Sequence, residues 1–375
     1  MIYLDNAATT KPDAECLKRA EEYLLSKYYN PSALYAEGYN LHLELKRARN
    51  NVLSLIADEY NFSLVFTSCG TEADNQAVFC GAKRGNVVTT MGEHSAIYSA
   101  VNELKQRGIE VRFAELNGDG SVNCGSLLSL VDENTSLVSV IHVNNETGAV
   151  NDISAIAKSV KIKNSRTLFH SDGVQAFGKI AFRLSKDIDL YSVSAHKIGG
   201  IKGCGALFKR KNLAIKPFIY GGGQEQGLRS GTENVFGIKC FEFASLKKYE
   251  NLGNAFENVK RLNETMRKRL DSGLFKILSS ENSSPYILSV AATGLRGETV
   301  LHEADDSGLI IGTGSACSSN ASKRYSRIIL ACGVEKETAD GVLRISFSTE
   351  NMVEEVEKAA EILNRIVKNR KQIMA

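Results

Sequence analysis

The sequence predicts an α/β protein: a mainly parallel seven-stranded sheet covered by helices on both faces, followed by a smaller α+β domain. Three observations predict it. Between residues 60 and 210, short apolar runs bounded by Gly, Asn or Asp alternate with helix-like stretches, the pattern of a parallel sheet with helical crossovers. After Gly231 that alternation stops, and a long polar–apolar stretch precedes short, separated strands. Finally, the last two strands of the first region are joined by only the seven residues Lys197–Gly203. A parallel crossover takes about a dozen, so the last strand is expected to run antiparallel.

In chain order, the expected strands are Ser63–Ser68, Asn86–Met91, Glu110–Glu115, Thr135–Val143, Thr167–Asp172, Asp189–His196 and Cys204–Arg210. They are rich in Val, Ile, Leu and Phe, as buried strands are. Helical patterns between them include Thr71–Ala82, Ser95–Gln106 and Ile153–Lys161. Beyond Gly231, Thr232–Leu274 reads as one or two helices. Phe275–Ser280, Tyr286–Thr293, Leu309–Thr313 and Val342–Ser348 read as strands, and Glu350–Lys371 as a terminal amphipathic helix. The expected division is a large domain over residues 14–250 and a small one formed by 1–13 together with 251–375, as suits a chain of 375 residues.

Composition narrows the function. Formal net charge is +3, from 46 basic and 43 acidic residues, which gives no reason to expect nucleic acid as a partner. A small molecule or another protein is expected instead. The chain has 8 cysteines and no C-x-x-C pair, so no metal site is expected and the cysteines read as free thiols of a reducing compartment. The opening Met1-Ile-Tyr-Leu-Asp5 lacks the basic-then-apolar pattern of a secretory signal, and no run of about 18 apolar residues is present. No membrane contact is expected, and cytoplasm is the expected compartment.

The most informative segment is Ser192-Val-Ser-Ala-His-Lys-Ile-Gly-Gly200, where a strand runs into a lysine and then into small residues. A lysine that bonds covalently to a carbonyl cofactor must be fixed and partly desolvated, which lowers its amine pKa and leaves room for a flat ring. Alone, Lys197 would read as a solvated lysine; its companions change that. Asp172 ends another strand, and parallel strands present their C-terminal ends on one edge, where ligands bind. It could cap a following helix or pair with a protonated ring nitrogen, with Gln175 near a ring hydroxyl. The turn Ser68-Cys-Gly-Thr-Glu72 leads from a strand into a helix. Gly70 and Thr71 there could offer backbone N–H groups to a phosphate. His94, at a further strand end, is either a structural histidine or a ring-stacking proton carrier. Asn145, in Val143-Asn-Asn-Glu-Thr-Gly148, could bond the ring hydroxyl or the substrate.

These segments also occur together in a known order. Asn6-Ala-Ala-Thr-Thr10, the Thr71 turn, Glu93-His94-Ser95, Asn144-Asn-Glu146, Asp172 with Gln175, Ser194-Ala-His-Lys197, Gly221-Gly-Gly-Gln-Glu225 with Arg229-Ser-Gly-Thr232, and Gly314-Ser-Ala-Cys317 resemble the cysteine desulfurases. Those are fold-type I, class V aminotransferase-like enzymes that use pyridoxal 5'-phosphate (PLP). The resemblance runs from Tyr3 to about Phe347 and implies a homodimer that converts L-cysteine to L-alanine. It implies that Lys197 carries the cofactor and that Thr71, Ser194 and His196 hold its phosphate. Thr232 would reach the phosphate of the neighbouring subunit, and Asn145 and Arg344 would bind the substrate carboxylate. Cys317, in a run of small residues, would take the sulfur as a persulfide with His94 as its base. It would then pass the sulfur to a protein acceptor such as an iron–sulfur scaffold or a thiolation protein. The long Cys317–Ser326 segment is similar to the branch with an extended catalytic loop. A selenocysteine lyase, another PLP-dependent lyase, and a non-enzymatic sulfur-assembly scaffold are the competing readings; the Lys197, Asp172 and His94 set argues against the scaffold.

The sequence departs from the family at three places. Cys69 stands where Gly is usual, Tyr35 where His is common, and Ile345-Ser-Phe-Ser-Thr349 lacks a second arginine after Arg344.

Overall fold

The computed structural model describes residues 1–313 and 324–374. Its largest sheet has seven strands in the order Phe62–Thr67, Gly205–Arg210, Leu190–Ser194, Leu168–Asp172, Thr135–Ser139, Asn86–Thr90, Glu110–Ala114. Gly205–Arg210 runs antiparallel to both neighbours, and the other pairings are parallel. Each expected strand is present, and the short Lys197–Gly203 link does produce the antiparallel strand. Gly205 is required by that reversal: a Cβ there would lie 2.6 Å from the Cys69 carbonyl carbon, so the strand passes directly beneath the Cys69 turn.

Helices cover both faces because the inner strands are buried on both sides and need two apolar layers. Helix Gly70–Gly81 packs on one face against the Leu190–Ser194 and Gly205–Arg210 strands. The other face is covered in part by the 21-residue helix Ala36–Ile56, which packs against Val235–Glu250. The sequence reading names no helix before residue 60, although Leu41, Leu45, Ala48, Val52 and Ile56 recur on one helical face and are all buried. Lys197 also sits differently from expectation. Its strand ends at Ser194, and the lysine lies on the 3-10 turn Ala195–Lys197.

A second core surrounds the three-stranded antiparallel sheet of Phe275–Ile277, Ile287–Ala292 and Val342–Ser346. The helices Leu252–Arg269 and Val353–Met374 pack together beside it. The stretch read as one or two helices is two, broken at Asn251. The N-terminal strand Ile2–Tyr3 pairs with Leu309–Ile310, and Ile2 and Leu4 join this second core. Just beyond, Ala7 and Ala8 reach the edge of the large sheet, so the N-terminal segment connects the two cores.

Candidate active site

All strands of the large sheet except Gly205–Arg210 run in one direction, so the segments after their C-terminal ends meet at one edge. The structure brings Gly70, Thr71, His94, Asn145, Asp172, Gln175, Ser194, His196 and Lys197 to a cavity of about 310 Å³. Arg344 enters it from the three-stranded sheet, and Ala7 and Ala8 from the N-terminal segment. Of the described residues singled out from the sequence, Thr232 does not line it. Thr232 is exposed and borders a separate cleft with Arg229, Glu225 and Gly203. Cys317 lies outside the described residues.

Local chemistry fixes each side chain. The Lys197 Nζ donates to the carbonyls of Ala7 and Ala8, both at 2.7 Å. Asp172 caps no helix; its Oδ1 accepts the Val174 N–H at 2.9 Å. Burial raises its pKa to about 6, opposed by that hydrogen bond and by the charge of Lys197. Between them, Gly173 lies so close to Tyr191 that a Cβ would fall 1.8 Å from the ring's Cζ. The Tyr191 hydroxyl in turn bonds His142 at 2.9 Å, so the Asp172 turn rests on a packed aromatic floor.

His94 is the N-cap of helix Ser95–Gln106, and its Nδ1 accepts the Ala96 N–H at 3.2 Å. Burial, then the charge of Lys197, lowers its pKa to about 4. The ring is therefore neutral at pH 7, with its proton on Nε2, because Nδ1 is occupied as an acceptor. Asn145 is held by a turn in which the Asn144 Oδ1 accepts the backbone N–H groups of Glu146 and Thr147, while Nδ2 donates to Gly92. Arg344, 2% exposed, donates to the Asn145 carbonyl at 3.0 Å and to the Asp5 carboxylate at 2.8 Å. The Gln175 Nε2 donates to Ala7, while its Oε1 accepts from the Nζ of buried Lys179 at 2.7 Å.

These residues fit PLP. The helix Gly70–Gly81 has no side chain capping its N-terminus, so its first N–H groups face the cavity unused, as an anion requires. Beside it, the Ser194 Oγ is buried without a hydrogen-bond partner, and so is the Asn145 Oδ1 across the cavity. Buried polar atoms are rarely left so, and a ligand with phosphate and hydroxyl groups would satisfy them. A Cβ on Gly70 would come within 2.9 Å of Val174, so glycine keeps this cradle open. His196, its Nδ1 3.1 Å from the Thr9 hydroxyl, is kept neutral by burial and then by Lys197, with a pKa near 4.

Five contributors are absent from the sequence reading: the Ala7 and Ala8 carbonyls, Asp5, Lys179 and Asp74. The first act through backbone, which carries no side-chain signal. Asp74, by contrast, is a carboxyl at a buried position of helix Gly70–Gly81, and that mismatch was available in the pattern.

The chain is similar to known proteins along almost its whole length. The family model described as aminotransferase class-V matches residues 2–359. A cysteine desulfurase of Trichormus azollae is 34% identical over 379 residues, covering 98% of this chain and 93% of its own. The cysteine desulfurase IscS of Clostridium botulinum is 34% identical over 383 residues, covering 99% and 96%. Among solved structures, a NifS-like protein at 33% identity superposes with a TM-score of 0.91, covering 98% of this chain and 99% of that one.

Proposed function

This chain belongs to the aminotransferase class-V family, and from that membership we propose that it is a PLP-dependent cysteine desulfurase, converting L-cysteine to L-alanine and delivering the sulfur to an acceptor. The observation that carries the proposal is the single cavity lined by Lys197, Asp172, His94, Thr71, Asn145 and Arg344, with buried polar atoms left for a ligand. Relatives named as cysteine desulfurases over nearly the full chain support it. Neither a selenocysteine lyase nor a non-enzymatic scaffold draws support from them.

The residues divide the work as follows. The uncapped helix end at Gly70 and Thr71, with Ser194 and His196, would hold the phosphate. Asp172 would face the ring nitrogen, Gln175 and Asn145 the ring hydroxyl, and Lys197 the aldehyde carbon. Bound there, PLP supplies an electron sink that weakens bonds at the amino acid's Cα. Lys197 is also the amine best placed to carry a proton, since the Ala7 and Ala8 carbonyls hold it at the cavity wall. Arg344 offers the substrate carboxylate a bidentate partner, sharing its guanidinium with Asp5.

Sulfur transfer is assigned to the Cys317 thiol. It takes the sulfur of cysteine as a persulfide while alanine leaves with the thiol proton, so atoms balance. A free thiol, with a pKa of ~8.5, is only a few per cent ionised at neutral pH and needs help. His94 can supply it as a base only if its Nδ1 releases the Ala96 N–H. Otherwise it acts as a donor through Nε2. Cys317 is the fourth residue after Thr313, a span of at most about 14 Å, and Thr313 follows Gly312, whose backbone bonds Arg344 in both directions.

The reading extends to assembly and compartment. Exposed Thr232 supports a homodimer in which it serves the partner's cavity. Arg229, three residues earlier, pairs with Glu72 on the phosphate helix at 3.0 Å, which fixes where Thr232 stands. Ile2 and Leu4 within the second core support the small domain of 1–13 with 251–375. The seven described cysteines are free thiols, which supports a reducing compartment, and no described helix is long and apolar enough to cross a membrane. Incubating PLP-loaded protein with L-cysteine and dithiothreitol tests the function. Equimolar alanine and sulfide are expected; alanine without sulfide would contradict it.

A further inference from the structure

Asp74 has no part in the function above, yet it is 1% exposed and lines the cavity. It sits on the first turns of the phosphate helix, and its carboxylate, that of Asp172 and a ring nitrogen of His94 lie within 4.8 Å of one another. Two carboxylates this close in a buried site do not both ionise readily. Their surroundings differ. Asp172 receives the Val174 N–H and feels the Lys197 charge. Asp74 has no lysine or arginine partner among the described residues, and its Oδ1 is buried without a hydrogen bond. Of the two histidines near it, His94 is neutral at pH 7, and His170 lies 3.7 Å away.

That histidine is not a counter-charge. Burial lowers its pKa to about 3, and its two nitrogens are occupied by Ser139 at 2.9 Å and Ser192 at 3.0 Å. The Ser192 hydroxyl is the neighbour that favours the ionised form of Asp74. Burial, Asp172, Glu93 and Cys69 all oppose it.

We propose that Asp74 is a positioning residue held as a neutral carboxylic acid, presenting its proton towards Asp172 so that the pair carries one negative charge, located on Asp172. The role rests on the assignment of Asp172 to the ring nitrogen of PLP. A neutral Asp74 leaves the full charge of Asp172 for that nitrogen; an ionised Asp74 would drive the shared proton onto Asp172 and remove it.

Asp74→Asn and Asp74→Ala, both in the full-length protein, test this. Asparagine is neutral, nearly isosteric with the protonated acid and still a donor. The Asn variant should hold PLP within about twofold of wild type and keep the pH titration of the bound cofactor's visible absorption. The Ala variant removes the proton donor proposed for Asp172 and should bind PLP about tenfold or more weakly. Infrared difference spectra of wild type minus the Asn variant at pH 7 should show a protonated carboxylic C=O stretch. A carboxylate band in that difference, or an Asn variant as impaired in PLP binding as the Ala variant, would overturn the proposal. The infrared result stands whether or not Asp172 serves PLP. Asp172→Asn protein that binds PLP like wild type would instead sink the assignment of Asp172.

Discussion

The Lys197 ammonium donates to the Ala7 carbonyl at 2.7 Å, joining the turn that ends a central strand to the N-terminal segment of the second core. The amine is thus held by backbone dipoles at the cavity wall. Lys197→Ala should abolish covalent retention of PLP. Borohydride reduction followed by peptide mapping checks it: label on the Lys197 peptide in wild type and none in the variant is expected. Labelling of the variant at wild-type yield would mean another lysine carries the cofactor.

Gly173→Ala should be severely destabilising. The added methyl would overlap the Tyr191 ring, 1.8 Å from Cζ, and neither the turn nor the buried ring has room to shift. Overpacking of this kind costs at least about 1–3 kcal/mol, so thermal denaturation should show a clear loss. Combining it with Tyr191→Leu should recover part of that loss; a single variant as stable as wild type would show that the turn can move.

Much of this arrangement was legible in the sequence. The sheet strands stand close to where the apolar runs place them, because buried parallel strands are short and uniformly apolar. The cavity edge followed from Lys197, Asp172, His94 and Thr71 all lying at or a few residues beyond the C-terminal ends of strands. Helix Ala36–Ile56 was missed although its buried residues are periodic. Its apolar signal is diluted by exposed Glu37, Asn40, Lys46, Arg47 and Asn50 and by half-buried Glu44, which accepts the Tyr23 hydroxyl. The Asp74–Asp172 and Arg344–Asp5 pairs were not readable, since each joins residues far apart in sequence and depends on the packing of whole elements.

Glu93, adjacent to His94, is fully buried, with a pKa raised to about 8 by burial. A carboxyl whose folded pKa exceeds its unfolded value, about 4.3, contributes stability that is present at low pH and lost as pH rises towards about 8. Glu93→Gln keeps an acceptor for Thr90 and Ile141 and removes the titration. The variant should gain about 2–4 °C in Tm over wild type at pH 8 and little or nothing at pH 4.5. A gain that is the same at both pH values would contradict the buried, raised carboxyl.

The proposal that Thr232 serves the partner's cavity makes a prediction about mixed dimers. Thr232→Ala and Lys197→Ala should each be inactive or strongly impaired alone. If Thr232 serves the partner's cavity, both lesions in a mixed dimer fall on one site and leave the other intact. Co-expressed, separately tagged chains should then recover up to about half the wild-type activity per heterodimer. Monomers by light scattering with full PLP occupancy, or no recovery on mixing, would count against the shared site.

The central claim is that sulfur moves from L-cysteine to Cys317 in a cavity built around Lys197. The most direct measurement is mass spectrometry of the PLP-loaded protein after brief exposure to L-cysteine, in parallel with Cys317→Ser. Wild type should carry one added sulfur on the peptide containing Cys317. The variant should still bind PLP and L-cysteine but form neither persulfide nor appreciable alanine. Sulfur mapped to Cys69, which lines the same cavity, or undiminished alanine formation by Cys317→Ser, would contradict the account.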